Sequence, residues 1–174
     1  RKDRFKVLDN NTFWLSTTPN VPGSKDWDAA ITRVVTWAKL RDRDSKKEFV
    51  YMNTHFDHRG KEARKNSAML LKQRAAELGK KYPLIITGDF NITREAPPYA
   101  IMMDPSPIKL LDPAPEGIGT FCGFTVNARP CVGIDYIFST SQWKSSGYQV
   151  ISDNDGTYYP SDHLPVIVTL SIPK

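Results

Sequence analysis

The sequence predicts an α/β fold, and three observations carry that prediction. Residues 84–87, Leu-Ile-Ile-Thr, form a short apolar, β-branched run just after Pro83, the pattern of a strand buried on both faces. Residues 60–81 carry apolar positions at helical spacing, and residues 48–54 read as a strand ahead of them, so strand, helix and strand follow in turn. Such a unit is a right-handed crossover in a parallel or mixed sheet. Finally, acids, amides and imidazoles collect where the expected strands end, and the carboxyl ends of strands are where open α/β sheets gather their chemistry.

The chain of 174 residues, 40% hydrophobic and 25% charged, is ordinary globular composition with one core, so residues 1–174 are expected to be a single domain. No stretch approaches the ~18 apolar residues of a membrane span. A net charge of +5 suits a phosphate-bearing partner, although solvated surfaces are often as basic. Cys122 and Cys131 allow a disulfide in an oxidising compartment or two buried thiols, and without a second pair they argue against structural zinc. The chain opens Arg1-Lys2-Asp3-Arg4-Phe5, with neither an initiator Met nor a signal peptide, and is expected to be incomplete at its N-terminus.

In order, residues 5–8 and 12–16 read as two extended runs about an Asp9-Asn10-Asn11 turn, that is, a hairpin. Residues 17–28 are a loop, with Pro19, Pro22 and Gly23 against helix; Trp14 and Trp27 suit packing, and Trp27 could also stack on a ligand beside a cleft. Residues 31–40 and 48–54 make a second hairpin with a charged tip at 41–47, and Arg33 before it could reach a phosphate or form a surface ion pair. On the helix, Ala63, Leu70, Leu71, Ala75 and Leu78 mark the buried stripe, with Lys72 among the basic residues expected elsewhere on its surface. The Pro-rich residues 92–117 fit a short helix near 99–103 and then Leu110-Leu111-Asp112; strands are expected near 120–121 and at 133–138, 143–151 and 166–170.

The candidate functional residues sit between these elements. His55 and His58 bracket Asp57, which is placed to orient an imidazole; Asp89 and Asn91 follow Gly88; Asp135 opens a strand, where a buried Asp needs a partner; Asp162 and His163 precede the last strand. An acceptor-only carboxylate beside a donor amide, with imidazoles nearby, is chemistry for a phosphate and its attacking water. Each stretch alone is weak; their joint order is strong. The turn at Asp153-Asn154-Asp155-Gly156 lacks the later spacing and bidentate Glu of a calcium loop.

Together, Asn53-Thr54-His55-Phe56-Asp57-His58, Gly88-Asp89-Phe90-Asn91, Ile134-Asp135-Tyr136-Ile137 and Ser161-Asp162-His163 resemble the endonuclease/exonuclease/phosphatase superfamily of deoxyribonuclease-I-like enzymes. Phe13-Trp14-Leu15-Ser16, Trp27 and residues 33–38 look like its bacterial secreted branch, so a secreted or periplasmic location is expected on that ground alone. The resemblance implies a four-layer α/β sandwich of two packed mixed sheets with outer helices. It also implies metal-dependent hydrolysis of phosphoesters with Mg2+, or Mn2+ in its place. On that resemblance Asp89 orients or activates water, Asn91 holds a phosphate oxygen, and His163, paired with Asp135, contacts phosphate or acts as acid-base. Asp162 and Asp89 hold metal, His55 contacts the phosphate or protonates the leaving oxygen, and Arg33 and Trp27 are expected on the substrate side. The family's metal site also takes a Glu from earlier strands, with no equivalent in residues 1–40, so the chain resembles the C-terminal two-thirds of the family domain with its N-terminal strands missing. A non-catalytic module that binds a phosphate ligand is the alternative. Nucleic acid, sugar phosphate and lipid headgroup all remain open as substrates, and no stable protein partner is expected.

Overall fold

Strand β1 (Phe5–Trp14) runs along the edge of a six-stranded sheet and pairs antiparallel with β2 (Val34–Asp42) over most of its length. β2 pairs antiparallel with β3 (Glu48–His55), and helix α1 (Lys61–Gly79) then carries the chain to β4 (Leu84–Asp89), parallel to β3. Helix α2 (Pro97–Met103), the short β5 (Leu110–Leu111) and β6 (Asp135–Thr140) follow; β6 lies antiparallel between β4 and β5. The order across the sheet is β1-β2-β3-β4-β6-β5, and β7 (Lys144–Val150) pairs with β8 (Val166–Ser171) in a second, antiparallel sheet. These elements come from a computed structural model that describes residues 1–172.

The crossover expected from the sequence is therefore present, and the class is the expected α/β sandwich: a large mixed sheet, a second sheet and two helices. Among the described residues the second sheet is a two-stranded antiparallel ladder rather than a mixed sheet. On β3, Val50, Met52 and Thr54 are buried and Tyr51, Asn53 and His55 are exposed, the period of two that a pleat imposes. Val50 and Met52 join Ala68, Leu71 and Ala75 of α1, Leu84 and Ile86 of β4, Met102 of α2 and Phe138 of β6 in one core. On the opposite face Phe49 meets the Trp143 ring edge-on, with centroids 5.4 Å apart, under the second sheet.

Three local readings change. The Asp9-Asn10-Asn11 stretch does not turn; it lies within β1, where the register slips between Val7 and Asp9. The side chains explain why polar residues are tolerated there: Asp9 Oδ1 accepts the Asn10 N–H and Asn11 Oδ1 accepts the Thr12 N–H, so these edge donors are satisfied without a partner strand. Lys72 is a second correction, since it is almost wholly buried. Its Nζ donates to the carbonyls of Met102, at 3.3 Å, and Asp104, where α2 ends. A cation there meets the unpaired last carbonyls of a helix.

Helix α1 begins at Gly60, which has no side chain to cap it. Asp28 does so from the β1–β2 loop, accepting N–H from Ala63 at 2.7 Å and Glu62 at 3.2 Å. Asp57 ties the same region together. Oδ2 accepts the N–H groups of Ala30 and Ile31, and Oδ1 those of Arg59 and Gly60. It anchors backbone rather than orienting either neighbouring imidazole. No helix among the described residues is long and apolar enough to cross a membrane.

Candidate active site

Sheet register assembles the first three candidate residues. His55 on β3 stands opposite Asp89 on β4, and Asp89 stands opposite Asp135 on β6, so they form one row across three adjacent strands. Gly88 is what lets β3 and β4 close at this row: a Cβ there would fall on the Thr54 carbonyl oxygen. Beyond the strand, Asn91 takes a left-handed turn with φ of 50°, a conformation that asparagine tolerates better than most residues. The turn aims its backbone N–H at Asp89 Oδ1, 2.8 Å away.

His163 reaches the row from the loop before β8. A short bridge joins its backbone to Phe121, and the Leu164 N–H donates to the Thr120 carbonyl at 2.7 Å. Its ring rests against Phe121, with centroids 4.8 Å apart. Nδ1 meets Asp135 Oδ2 at 2.8 Å, and Nε2 lies 3.8 Å from Asp89 Oδ2. His55 Nε2 approaches that same Asp89 oxygen to 3.1 Å. Two imidazoles from distant parts of the chain thus flank one carboxylate oxygen. A carboxylate oxygen accepts, so the Nδ1–Oδ2 contact places a His163 hydrogen on Nδ1 and leaves Nε2 facing Asp89.

The amide of Asn91 donates to the Phe56 carbonyl at 3.1 Å and, at 3.4 Å, to Asp89 Oδ2. Burial pushes the Asp89 carboxyl up; the Asn91 N–H opposes this and the charge of Asp135 adds to it. Burial also pushes the His55 imidazole down, against the attraction of Asp89. These are the directions expected of a dehydrated carboxylate beside like charge and of a dehydrated base.

Arg33 is half-buried nearby. Burial pushes its guanidinium down, while the charges of Asp57 and Asp89 hold it up. Its Nη2 lies 3.3 Å from His58 Nδ1, and its Nε is buried without a hydrogen-bond partner among the described residues. Trp27 lies in the β1–β2 loop with φ of 56°, and none of the contacts described around Asp89 involves it. Asp162 adjoins His163, and its carbonyl accepts the N–H groups of Cys122 and Gly123.

Among the described residues, Asp89, Asp135 and His163 form a group that could hold a metal ion, with one donor atom of each within 4.8 Å of the others. Asp162 is not part of that group. The donor chemistry fits a divalent cation: two carboxylates repel across the site, and a cation between them relieves that repulsion. Asp135 Oδ2 receives Thr120 and His163, while Asp89 receives the backbone and side-chain N–H of Asn91 and meets His55.

Residues 4–163 match the model of the Endonuclease/Exonuclease/phosphatase family. The chain belongs to that family. No curated protein matches it. A solved Endonuclease/Exonuclease/phosphatase family protein from Bacteroides thetaiotaomicron is 34% identical, with a TM-score of 0.89 over 100% of this chain and 68% of that one. A mannosyl-6-phosphatase from Bacteroides thetaiotaomicron VPI-5482 is also 34% identical, with a TM-score of 0.87 over 99% of this chain and 69% of that one. The human nocturnin catalytic domain, at 20% identity and a TM-score of 0.75 over 99% of this chain and 62% of that one, shares the fold.

Within this Endonuclease/Exonuclease/phosphatase fold, sequence reading singled out both members of the Asp135–His163 pair but missed Thr120, whose hydroxyl lies 2.6 Å from the same Asp135 oxygen. A lone Thr after Gly119 carries no motif. The disulfide that the sequence left open joins Cys122 to Cys131 and closes the loop leading out of Thr120.

Proposed function

We propose that this chain carries the catalytic residues of a divalent-metal-dependent phosphoester hydrolase. The observation that carries the reading is the pair of imidazole Nε2 atoms, of His55 and His163, converging on one Asp89 oxygen at 3.1 and 3.8 Å. Hydrolysis at phosphorus needs a base or orienting acceptor for water, and fixed positive groups for the charge that develops on the phosphoryl oxygens.

Asp89 orients the attacking water and draws its proton. The 3.4 Å contact of Asn91 with Asp89 is the one a phosphate oxygen replaces, leaving the amide anchored on Phe56. His163 receives a proton on Nε2, and Asp135 across Nδ1 supports the charged ring. His55, pushed toward its neutral form by burial, contacts phosphate or exchanges a proton with the leaving oxygen. The guanidinium of Arg33, which feels the charge of Asp89, is a donor for a phosphate oxygen. Asp89 would hold the metal, Mg2+ or Mn2+, and the family resemblance adds Asp162 as a second acid for it. When bound, the cation supplies positive charge for the phosphoryl oxygens.

Among phosphate-bearing substrates we favour a sugar phosphate over nucleic acid or a lipid headgroup, supported by the 34% identity to a mannosyl-6-phosphatase. A secreted or periplasmic location is supported by the Cys122–Cys131 disulfide, which persists in oxidising compartments. The test is phosphate release from hexose phosphates and from a phosphodiester with Mg2+, by the intact protein and its Asp89→Ala variant. Release from a hexose phosphate that the substitution abolishes is the expected result. A fully active variant, or metal-independent release, overturns the assignment.

A further inference from the structure

The hydroxyl of Thr120 occupies an unusual hydrogen-bonding position. Thr120 is 1% exposed. Its Oγ1 accepts the backbone N–H groups of Ile134 and Asp135, both at 3.1 Å. A threonine hydroxyl has two lone pairs and one proton. With both lone pairs engaged, only the direction of the proton remains to be set. The nearest acceptor is Asp135 Oδ2 at 2.6 Å, against 3.5 Å to the Val132 carbonyl. The proton therefore points at the carboxylate oxygen that also receives His163 Nδ1–H.

The same residue ties the backbone of both partners. The Thr120 N–H donates to the Val132 carbonyl at 3.0 Å, on the strand side that leads to Asp135. Its carbonyl accepts the N–H of Leu164, the residue after His163, at 2.7 Å. Gly119 and Gly133 permit this close approach, since a Cβ on Gly119 would strike Cys131 and one on Gly133 would strike the Ile118 carbonyl oxygen.

We propose that Thr120 is a positioning residue for His163. Its hydroxyl fixes the rotamer of Asp135 and keeps Oδ2 aimed at Nδ1, so the imidazole is held as the Nδ1–H tautomer with Nε2 facing the reacting phosphate. The proposal rests on the phosphoester-hydrolase reading for its catalytic consequence, but not for its geometric one. Thr120 touches no substrate; it acts through Asp135. A merely space-filling threonine would tolerate valine, which has nearly the same shape and no hydroxyl. A positioning hydroxyl tolerates serine, which keeps the oxygen and loses the methyl.

The experiment combines kinetics with nitrogen-15 NMR of the imidazoles in the wild type, Thr120→Val and Thr120→Ser. In the wild type, His163 gives the nitrogen shifts of an Nδ1–H ring, and the Thr120 hydroxyl proton is protected from exchange, with a cross-relaxation peak to that Nδ1–H. Thr120→Val lowers kcat by about 10- to 100-fold, with KM within about twofold, as loss of a supporting partner does. It also mixes the two tautomers of His163. Thr120→Ser restores both readouts. A Thr120→Val protein with wild-type kcat and an unmixed tautomer overturns the proposal. So does a wild-type His163 protonated on Nε2, or a freely exchanging Thr120 hydroxyl; these need no variant and decide the matter if the valine form does not fold. If the wild type hydrolyses no phosphoester, the functional reading fails while the NMR readouts still test the positioning.

Discussion

His163 and Asp135, 28 residues apart in sequence, meet through Nδ1 and Oδ2 at 2.8 Å, and neither side chain is fully buried. The pair lies where the start of β6 comes up beside the loop before β8. Replacing Asp135 with Asn keeps the volume but removes the charge and permits the wrong tautomer of His163. Asp135→Asn is expected to lower kcat on the order of 10²- to 10⁴-fold with little change in KM, read by steady-state kinetics on a hexose phosphate. A loss below threefold would remove the pair from the mechanism.

The Cys122–Cys131 disulfide closes a short loop that follows directly on Phe121, the backbone partner of His163, and whose first N–H groups, of Cys122 and Gly123, donate to the Asp162 carbonyl. By loop entropy such a bridge stabilises the fold by about 2.5 kcal/mol. The Cys122→Ser/Cys131→Ser double variant is expected to melt at a lower temperature. It is also expected to lose activity below its melting range, because the backbone partner of His163 is loosened. Calorimetry with parallel kinetics separates the two effects; unchanged kcat in the folded variant would show that the loop does not hold the ring.

Asp57 predicts a pH effect whose sign follows from its partners. Burial alone would raise its carboxyl, but the N–H groups of Gly60, Arg59, Ile31 and Ala30 outweigh that and hold it well below the usual carboxylate range. A folded-state value below the unfolded one means that the stabilisation is fully present above the unfolded value of about 3.9. It is lost as the pH falls toward the folded value. Urea unfolding of the wild type and Asp57→Asn should differ by about 3 kcal/mol at pH 7. The difference should shrink as the pH drops below 4; a gap independent of pH would contradict the assignment.

The fold was legible where one local signal dominated. The Ile85-Ile86 run, the α1 stripe through Leu71 and Ala75, and the charged tip at 41–47 each had a period or composition that only one element satisfies. The Asp9-Asn10-Asn11 stretch was misread because its polarity is that of a turn, while the structure uses those side chains to cap an edge strand's own N–H groups. Lys72 was invisible as a buried residue because its partners are carbonyls at the end of α2, which no pattern in α1 encodes. His55, Asp89, Asp135 and His163 were found because strand ends concentrate chemistry. Asp162 was assigned to metal on the family resemblance alone, and the group whose donor atoms lie within 4.8 Å of one another takes Asp135 of β6 beside Asp89 and His163. Thr120 has no such signal: its role comes from being placed between two segments that meet only in three dimensions.

Gly88 offers a test of the register itself. A methyl there would fall on the Thr54 carbonyl oxygen, so Gly88→Ala must push β3 from β4 at the row that holds His55 and Asp89. The variant is expected to lose about 2–4 kcal/mol of stability and most of its activity, read by urea unfolding and kinetics. A stable, fully active Gly88→Ala protein would show that the close approach is unnecessary.

The most direct measurement is phosphate release by the wild type and by His163→Ala, each with Mg2+ and with a chelator, on a hexose phosphate, alongside circular dichroism of both proteins. The expected result is hydrolysis by the wild type that needs the cation and falls at least about 10²-fold in a still-folded His163→Ala protein. A folded His163→Ala protein that releases phosphate at the wild-type rate would contradict it.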